Sequence, residues 1–302
     1  MAATGAAFAQ SSVTLYGVAD MGLQKVSGTS LQLNSAATLN NGTSRWGVRG
    51  VEDLGGGLKA SFNFEAGLSL DNGITGQSGG NYFSRAAYMA LAGGFGEVSM
   101  GRRLNPAFNT AAAWELTGTA NYSAVVSQFG AVLNGIRNND LLMYTSPSFG
   151  GVTVQFAHVL KGDRAAGTPS IDESTNDLSL RYGAGPLAVA FNWNKNGEAS
   201  GSNKHLGASY NFGAFKVAGA WIDPVGAAKG FSVGASAPMG PVTLTVDFAR
   251  DTNAKDTDLL IEAKYALSKR TTAYAAYLRD GDKKIGALRG ENGLGLGIRH
   301  NF

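Results

Sequence analysis

"SRWGVRGVEDLGGGLKASFNFE", Ser44 to Glu65, decides the fold of this chain. Arg45, Arg49, Lys59 and Glu65 stand at odd positions, whereas Trp46, Val48, Phe62 and Phe64 stand at even ones. An extended strand sends successive side chains to opposite faces, so the two sets separate: charge on one side, bulky apolar groups on the other. A glycine cluster, Gly55 to Gly57, divides the stretch into two such strands.

The alternation recurs along the chain. In "VTLTVDFA", Val242, Leu244, Val246 and Phe248 oppose Thr243, Thr245 and Asp247. In "DLLIEAKYAL", Leu259, Ile261, Ala263, Tyr265 and Leu267 oppose Asp258, Glu262 and Lys264. The last segment alternates Leu294, Leu296, Ile298, His300 and Phe302 with small or charged residues. Division at Gly, Asn, Asp and Pro clusters yields about 16 segments of roughly 8 to 12 residues, the length of a tilted strand crossing a bilayer. Short connections ("SPSFGG" from Ser146, "GAGP" from Gly183, "NFGA" from Asn211) alternate with long polar ones, Asp71 to Tyr82, Leu104 to Asn139 and Lys161 to Thr175. Short turns on one side and long loops on the other mark an outer-membrane barrel.

Composition permits this and excludes much else. The 302 residues include no cysteine, which removes disulfide frameworks and thiolate metal sites. Net charge is +3, with no Lys/Arg run, which does not suit nucleic acid. No stretch has the apolar length of a transmembrane helix. The opening "MAATGAAFAQ" ends in an A-x-A pattern, Ala7-Phe8-Ala9, so residues 1–9 read as the remnant of a secretory signal and residues 10–302 as one barrel domain.

A soluble β-sandwich would also alternate, but three features favour lipid outside and water inside. Lys59, Glu65, Arg85, Glu262 and Lys264 put charge on the inner face, where a packed core would not hydrate it. Trp46, Tyr88, Tyr144, Phe248 and Tyr265 are expected on the outer face near strand ends, as interfacial girdles. Hydrocarbon tolerates no open sheet edge, so a sheet this large must close.

At this point the residues resemble a known family. "SSVTLYGVAD" (Ser11 to Asp20), the opening stretch, "FSRAAYMALAGGFGEVSMGR" (Phe83 to Arg102), "YTSPSFGGVTVQFAH" (Tyr144 to His158) and the ending "GIRHNF" resemble, in this order, the Gram-negative general diffusion porins of the beta-proteobacterial branch. The resemblance implies an all-β fold, a 16-stranded antiparallel transmembrane β-barrel with a constriction loop, Leu104 to Asn139, folded into the lumen. It implies a homotrimer in the outer membrane, among lipid and lipopolysaccharide, with Phe302 as the signal read by barrel assembly machinery. Arg45 and Arg85 match family arginines that line the constriction, Arg137 matches one at the start of the strand after the third loop, and Glu65 matches a pore acid. The alternation independently turns Arg45, Arg49 and Arg85 inward. Of Arg102 and Arg103 only one can face the lumen. Glu115 is the only acid between Arg103 and Asp140, so the loop lacks the acids of cation-selective porins. The expected function is passive diffusion of small hydrophilic solutes through a pore whose basic residues (Arg45, Arg85, Arg137, Arg49, Lys59, Arg103) outweigh its acids (Glu65, Glu115) and favour anions. A substrate-specific pore for small organic anions or phosphate fits the same residues.

Rival readings are weaker. "GQSGG" (Gly76 to Gly80) and "GFSVG" (Gly230 to Gly234) fit a nucleophile-elbow string, but Ser78 falls in a glycine-rich loop and Ser232 inside an alternating strand. His158, His205 and His300 form no metal or catalytic motif. "DTNAKDTD" (Asp251 to Asp258) lacks calcium-loop spacing and reads as a solvated turn, with recruitment of divalent cations that bridge lipopolysaccharide as the alternative. A surface adhesin would need a wholly apolar interior. No enzyme activity, cofactor or metal is expected.

Overall fold

The computed structural model describes residues 11–76, 81–162, 173–197, 199–226, 228–281, 288 and 291–302. The signal remnant assigned to residues 1–9, and Ser78, lie outside them. The chain forms one antiparallel sheet that closes on itself. Strand β1 (Ser12–Val26) pairs with β3 (Arg45–Gly55) on one side and with β17 (Asn292–Asn301) on the other. Between them each strand pairs with its chain neighbour: β4 (Leu58–Gly67), β5 (Ala86–Gly93), β6 (Gly96–Leu104), β7 (Arg137–Thr145), β8 (Val152–Val159), β9 (Thr175–Ala184) and β10 (Leu187–Asn196) make the first half. Strands β11 (Asn203–Asn211), β12 (Lys216–Asp223), β13 (Gly230–Met239), β14 (Val242–Asp251), β15 (Asp256–Ala266) and β16 (Thr271–Arg279) complete the ring. Of the 17 strands in the sheet one, β2 (Gln32–Asn34), is a three-residue addition that pairs with Gly22 to Gln24 of β1, and the others form the 16-stranded barrel. Closure satisfies every edge, the condition for a sheet in hydrocarbon.

The turn in the opening stretch shows why its glycines are there. Gly55, Gly56 and Gly57 all have positive φ (+84°, +61° and +83°), which residues with a Cβ adopt at a cost. Across this hairpin Gly47 opposes Glu65 and Arg49 opposes Asn63, so the odd positions share one face. The even set, with Val48 and Phe64, faces out.

The outer face carries an apolar band: Leu244, Val246, Phe248, Ile261, Tyr265, Leu294, Leu296, Ile298 and Phe302 are all exposed. Tyr144 is exposed there too, its hydroxyl donating to the Phe95 carbonyl at 2.8 Å. One aromatic departs from expectation. Tyr88 opposes Asn63 and Gly101 in register and lies 4.4 Å under the Arg103 guanidinium, on the lumen face. The reason is a bend at Ser84 and Arg85: alternation restarts in β5, where Met89 and Leu91 point outward, and the phase counted from Arg85 is lost.

The segment between β6 and β7, residues 105–136, folds inward. Helix α1 (Pro106–Trp114) packs on β9, β10 and β11, and α2 (Ala124–Phe129) packs on β14 and β15. Asn105 caps α1, its side-chain oxygen accepting from the Phe108 N–H at 2.9 Å, and Pro106 stands where its missing N–H costs nothing. Trp114, Tyr122, Val125, Phe129 and Leu133 bury themselves against Ala190, Ala218, Ala220, Ala249 and Leu260 of the inner wall. Small wall residues make room for large loop residues. Nowhere is this clearer than at Gly207, where a Cβ would collide with the Trp114 indole.

Candidate functional site

The inner wall opposite the two helices carries the site. Strands β1, β3 and β4 bring Tyr16, Arg45 and Glu65 close in height, because Tyr16 and Glu65 both oppose Gly47 while Arg45 stands two residues before it. Gly47 leaves the space: a Cβ there would lie 2.8 Å from the Tyr16 ring. Tyr16 donates its hydroxyl hydrogen bond toward Asn63 Oδ1 at 2.8 Å and lies 2.9 Å from Glu65 Oε2. Arg85 donates from Nε to Glu65 Oε1 at 2.7 Å, while Arg45 Nε lies 3.6 Å from Oε2. Arg45 also donates to the Thr43 carbonyl at 3.0 Å. Glu65 thus brackets two guanidiniums and is spent in doing so.

Two further arginines face the same space. A pocket of about 270 Å³ is lined by Arg45, Arg85, Arg137 and Arg299, with Asn41 to Thr43 of the first loop on one flank and Gly118 to Asn121 of the folded-in segment on the other. Among the described residues neither Arg137 nor Arg299 has a carboxylate oxygen within 4.0 Å. Arg137 Nε is buried without a hydrogen-bond partner. Arg299 donates to the neutral Asn41 Oδ1 at 2.8 Å, and the buried Asp20, opposite it in register on β1, offsets part of its charge. Four guanidiniums against two carboxylates, Glu65 and Asp20, leave the pocket positive.

The other residues singled out from the sequence lie elsewhere. Arg49 stacks over Tyr16 at 5.0 Å, further along β3. Lys59 is exposed beside the Gly55 to Gly57 turn, opposite Asp53. Arg103, rather than Arg102, takes the lumen face, held by Glu97 at 2.8 Å and Ser99 at 2.6 Å. Arg102 instead donates to the Ser84 carbonyl at 2.5 Å and to Asn139 at 2.7 Å, tying three strand ends together.

Glu115 has the largest difference between expected and observed setting. It is buried, and its carboxylate accepts from the Thr117 N–H (2.9 Å) and hydroxyl (2.6 Å), the Thr119 N–H (2.6 Å) and the Ser123 hydroxyl (2.9 Å). It shapes the turn between α1 and α2 and presents no free charge to the pocket. Anchors from the wall complete the loop: Tyr122 donates to Glu262 at 2.5 Å, Lys264 donates to the Thr117 carbonyl at 2.9 Å, and Asp177 accepts from the Ala107 N–H at 3.1 Å. Burial, with Glu262 alongside, holds the Tyr122 proton well above the ordinary phenol range.

Arg299 was not singled out from the sequence, although a signal existed. The odd positions of β17 oppose the outward set Leu294 to Phe302, so alternation alone turns Arg299 inward. The contributions of Asn41 to Thr43 had no such signal.

A closed β-barrel with a greasy exterior, a folded-in loop and a cationic inner wall defines a membrane channel. The chain belongs to the Gram-negative porin family, whose model matches residues 1–284. Outer membrane porin protein 32 of Delftia acidovorans is 32% identical over 344 residues, covering 100% of this chain and 97% of that protein. An outer membrane porin protein of Bordetella pertussis is 28% identical, covering 99% and 96%. Among solved structures, the anion-selective porin from Comamonas acidovorans superposes with a TM-score of 0.77 at 30% identity, covering 97% of this chain and 100% of that one. The protein is an outer-membrane diffusion channel, not an enzyme.

Proposed function

We propose that the pore prefers anions, and that Arg45, Arg85, Arg137 and Arg299 set the preference at a constriction formed with the folded-in segment. The observation that carries this is the surplus of four guanidiniums over two nearby carboxylates, Glu65, already shared by Arg45 and Arg85, and Asp20, opposite Arg299 in register. Their combined potential concentrates anions at the narrow point, and low-dielectric walls strengthen it. Guanidinium forks favour carboxylate and phosphate geometry, so small organic anions fit the same pocket as chloride. Arg49, Arg103 and Lys59 extend a weaker basic lining along the lumen.

The test is the zero-current potential of the purified protein in a planar bilayer across a KCl gradient. A sign set by chloride supports the reading, and a sign set by potassium ends it. Two acids separate the roles further. Glu65→Gln releases two guanidiniums and is expected to raise the chloride preference by a few fold. Glu115→Gln should leave the sign and size of the potential near wild type while increasing open-channel noise, because the buried carboxylate organises the loop. Equal shifts in both variants would contradict the assignment.

The assembly state we infer is a homotrimer, from membership of the family alone, with the apolar outer face meeting neighbouring copies, lipid and lipopolysaccharide; cross-linking in detergent tests it. For Phe302 the supporting geometry is local. The terminal residue exchanges backbone hydrogen bonds with Gly17 at 3.0 and 3.1 Å, and its ring covers that glycine, where a Cβ would collide with Phe302 Cζ. Gly17→Leu should therefore slow barrel folding into vesicles, as Phe302→Ala should, while Phe302→Tyr should not; folding is read from the gel shift between heated and unheated samples.

A further inference from the structure

At the end of the barrel with the long connections, three acids from two strands meet. Asp256 opens β15, Asp258 lies two residues on along the same face, and Asp280 directly follows β16. The reading of "DTNAKDTD" as a solvated turn does not hold for them: Asp256 is 3% exposed, Asp258 0% and Asp280 1%. One carboxylate oxygen from each lies within 4.8 Å of the others. That spacing is the span of two oxygens on a common ion, since calcium–oxygen distances of about 2.4 Å put opposed ligands about 4.8 Å apart.

The hydrogen bonding of Asp256 and Asp258 is incomplete in a telling way. Asp258 Oδ1 accepts from the Gly281 N–H at 3.0 Å, and the Ser127 hydroxyl of α2 also donates to this carboxylate. Asp280 Oδ2 accepts from the Leu288 N–H at 2.6 Å. Asp258 Oδ2 and Asp256 Oδ2 are buried with no donor. Among the described residues no Lys or Arg nitrogen lies within 4.0 Å of Asp256 or Asp258. The nearby Asp251, in register with Asp256, is different: its Oδ1 accepts from the Asn253 and Ala254 N–H groups at 2.8 and 2.9 Å. Backbone and hydroxyl donors orient carboxylates but do not neutralise them, so Asp256 and Asp258, buried close together with no Lys or Arg beside them among the described residues, repel one another. The space beside Asp256 is also kept open, because a Cβ on Gly281 would collide with its Oδ1.

We propose that Asp256, Asp258 and Asp280 bind a hard divalent cation of the calcium type. Carboxylate oxygens alone, in a flexible rim, suit calcium better than the smaller, strictly octahedral magnesium. The ion would join β15 to the end of β16 and, through Ser127, to α2, so it staples the folded-in segment to the wall. It is independent of the anion preference proposed above.

The experiment uses full-length protein refolded into detergent free of lipopolysaccharide, which itself binds calcium, and stripped with EDTA. Calcium chloride is titrated by calorimetry, and thermal unfolding is followed in calcium, in magnesium and in potassium chloride of matched ionic strength. Calcium should bind and raise the melting temperature more than magnesium, with matched potassium chloride having no such effect. Asp256→Asn and Asp258→Asn should each weaken calcium binding about tenfold or more, since ligand charge sets affinity in such sites. Without calcium both variants should melt at or above the wild-type temperature, because each removes a buried repulsion; this separates loss of the site from misfolding. Glu52→Gln, an exposed acid, should change nothing. A wild-type melting temperature identical in calcium and EDTA, or calcium binding untouched in both Asp variants, would overturn the proposal.

Discussion

Replacing Arg45 and Arg85 together by alanine is expected to lower the chloride-over-potassium permeability ratio by about tenfold or more, and the zero-current potential should move toward the potassium limit. Potential scales with charge whereas local ion concentration scales exponentially with potential. A focused field that enriches anions about 100-fold therefore falls to about tenfold when half its charge is removed. The double variant loses more than half the effect, because Glu65 is then left unbracketed and opposes Arg137 and Arg299. Arg299→Ala should cost a smaller share per charge, as Asp20, opposite it in register, already offsets part of its field. Lys59→Ala should cost little, since Lys59 is exposed near a turn and salt screens it beyond about 8 Å at physiological strength. A double variant that still folds, shown by its heat-shifted gel mobility, yet keeps the wild-type potential would place the selective field elsewhere.

The second large effect concerns the folded-in segment. Trp114 is a fully buried side chain, and its indole fills the space above Gly207. Trp114→Ala removes the largest buried side chain of the loop, a loss of about 3–5 kcal/mol in typical cores, while the barrel's interstrand hydrogen bonds stay intact. The expected outcome is a barrel that folds normally, with raised single-channel conductance, strong open-channel noise and faster protease cleavage between residues 105 and 136. Gly207→Ala approaches the same contact from the wall. Its Cβ would overlap the indole, so α1 must lift. Quiet channels of wild-type conductance in both variants would show that the loop is held without this contact, by Glu115, Tyr122 and Lys264 instead.

How much was legible beforehand differs from residue to residue. Alternation placed Arg45 and Arg49 on one face and Val246, Phe248 and Ile261 on the other, because strand geometry is a period-2 property of neighbouring residues. The same rule misled at Tyr88, where a bend at Ser84 and Arg85 broke the count. At Arg299 it pointed correctly inward, but parity alone says nothing of which other charges share that height. Glu115 could be recognised as an unusual acid, but its four hydrogen bonds come from a turn that closes only when α1 and α2 dock on the wall.

The sequence by itself determined the strand pattern, the greasy exterior, the contrast between short turns and long loops, and hence the closed barrel, since these follow from local periodicity and from the demand that no backbone edge face hydrocarbon. Only the tertiary structure decided which charges meet. Arg299 reaches Arg45 because closure sets β17 against β1, although the two strands lie at opposite ends of the chain, and Asp280 reaches Asp256 because β15 and β16 pair in one register and no other. Electrostatic fields depend on distance in space, and distance in space between strands is set by register and closure, which no stretch of residues carries on its own.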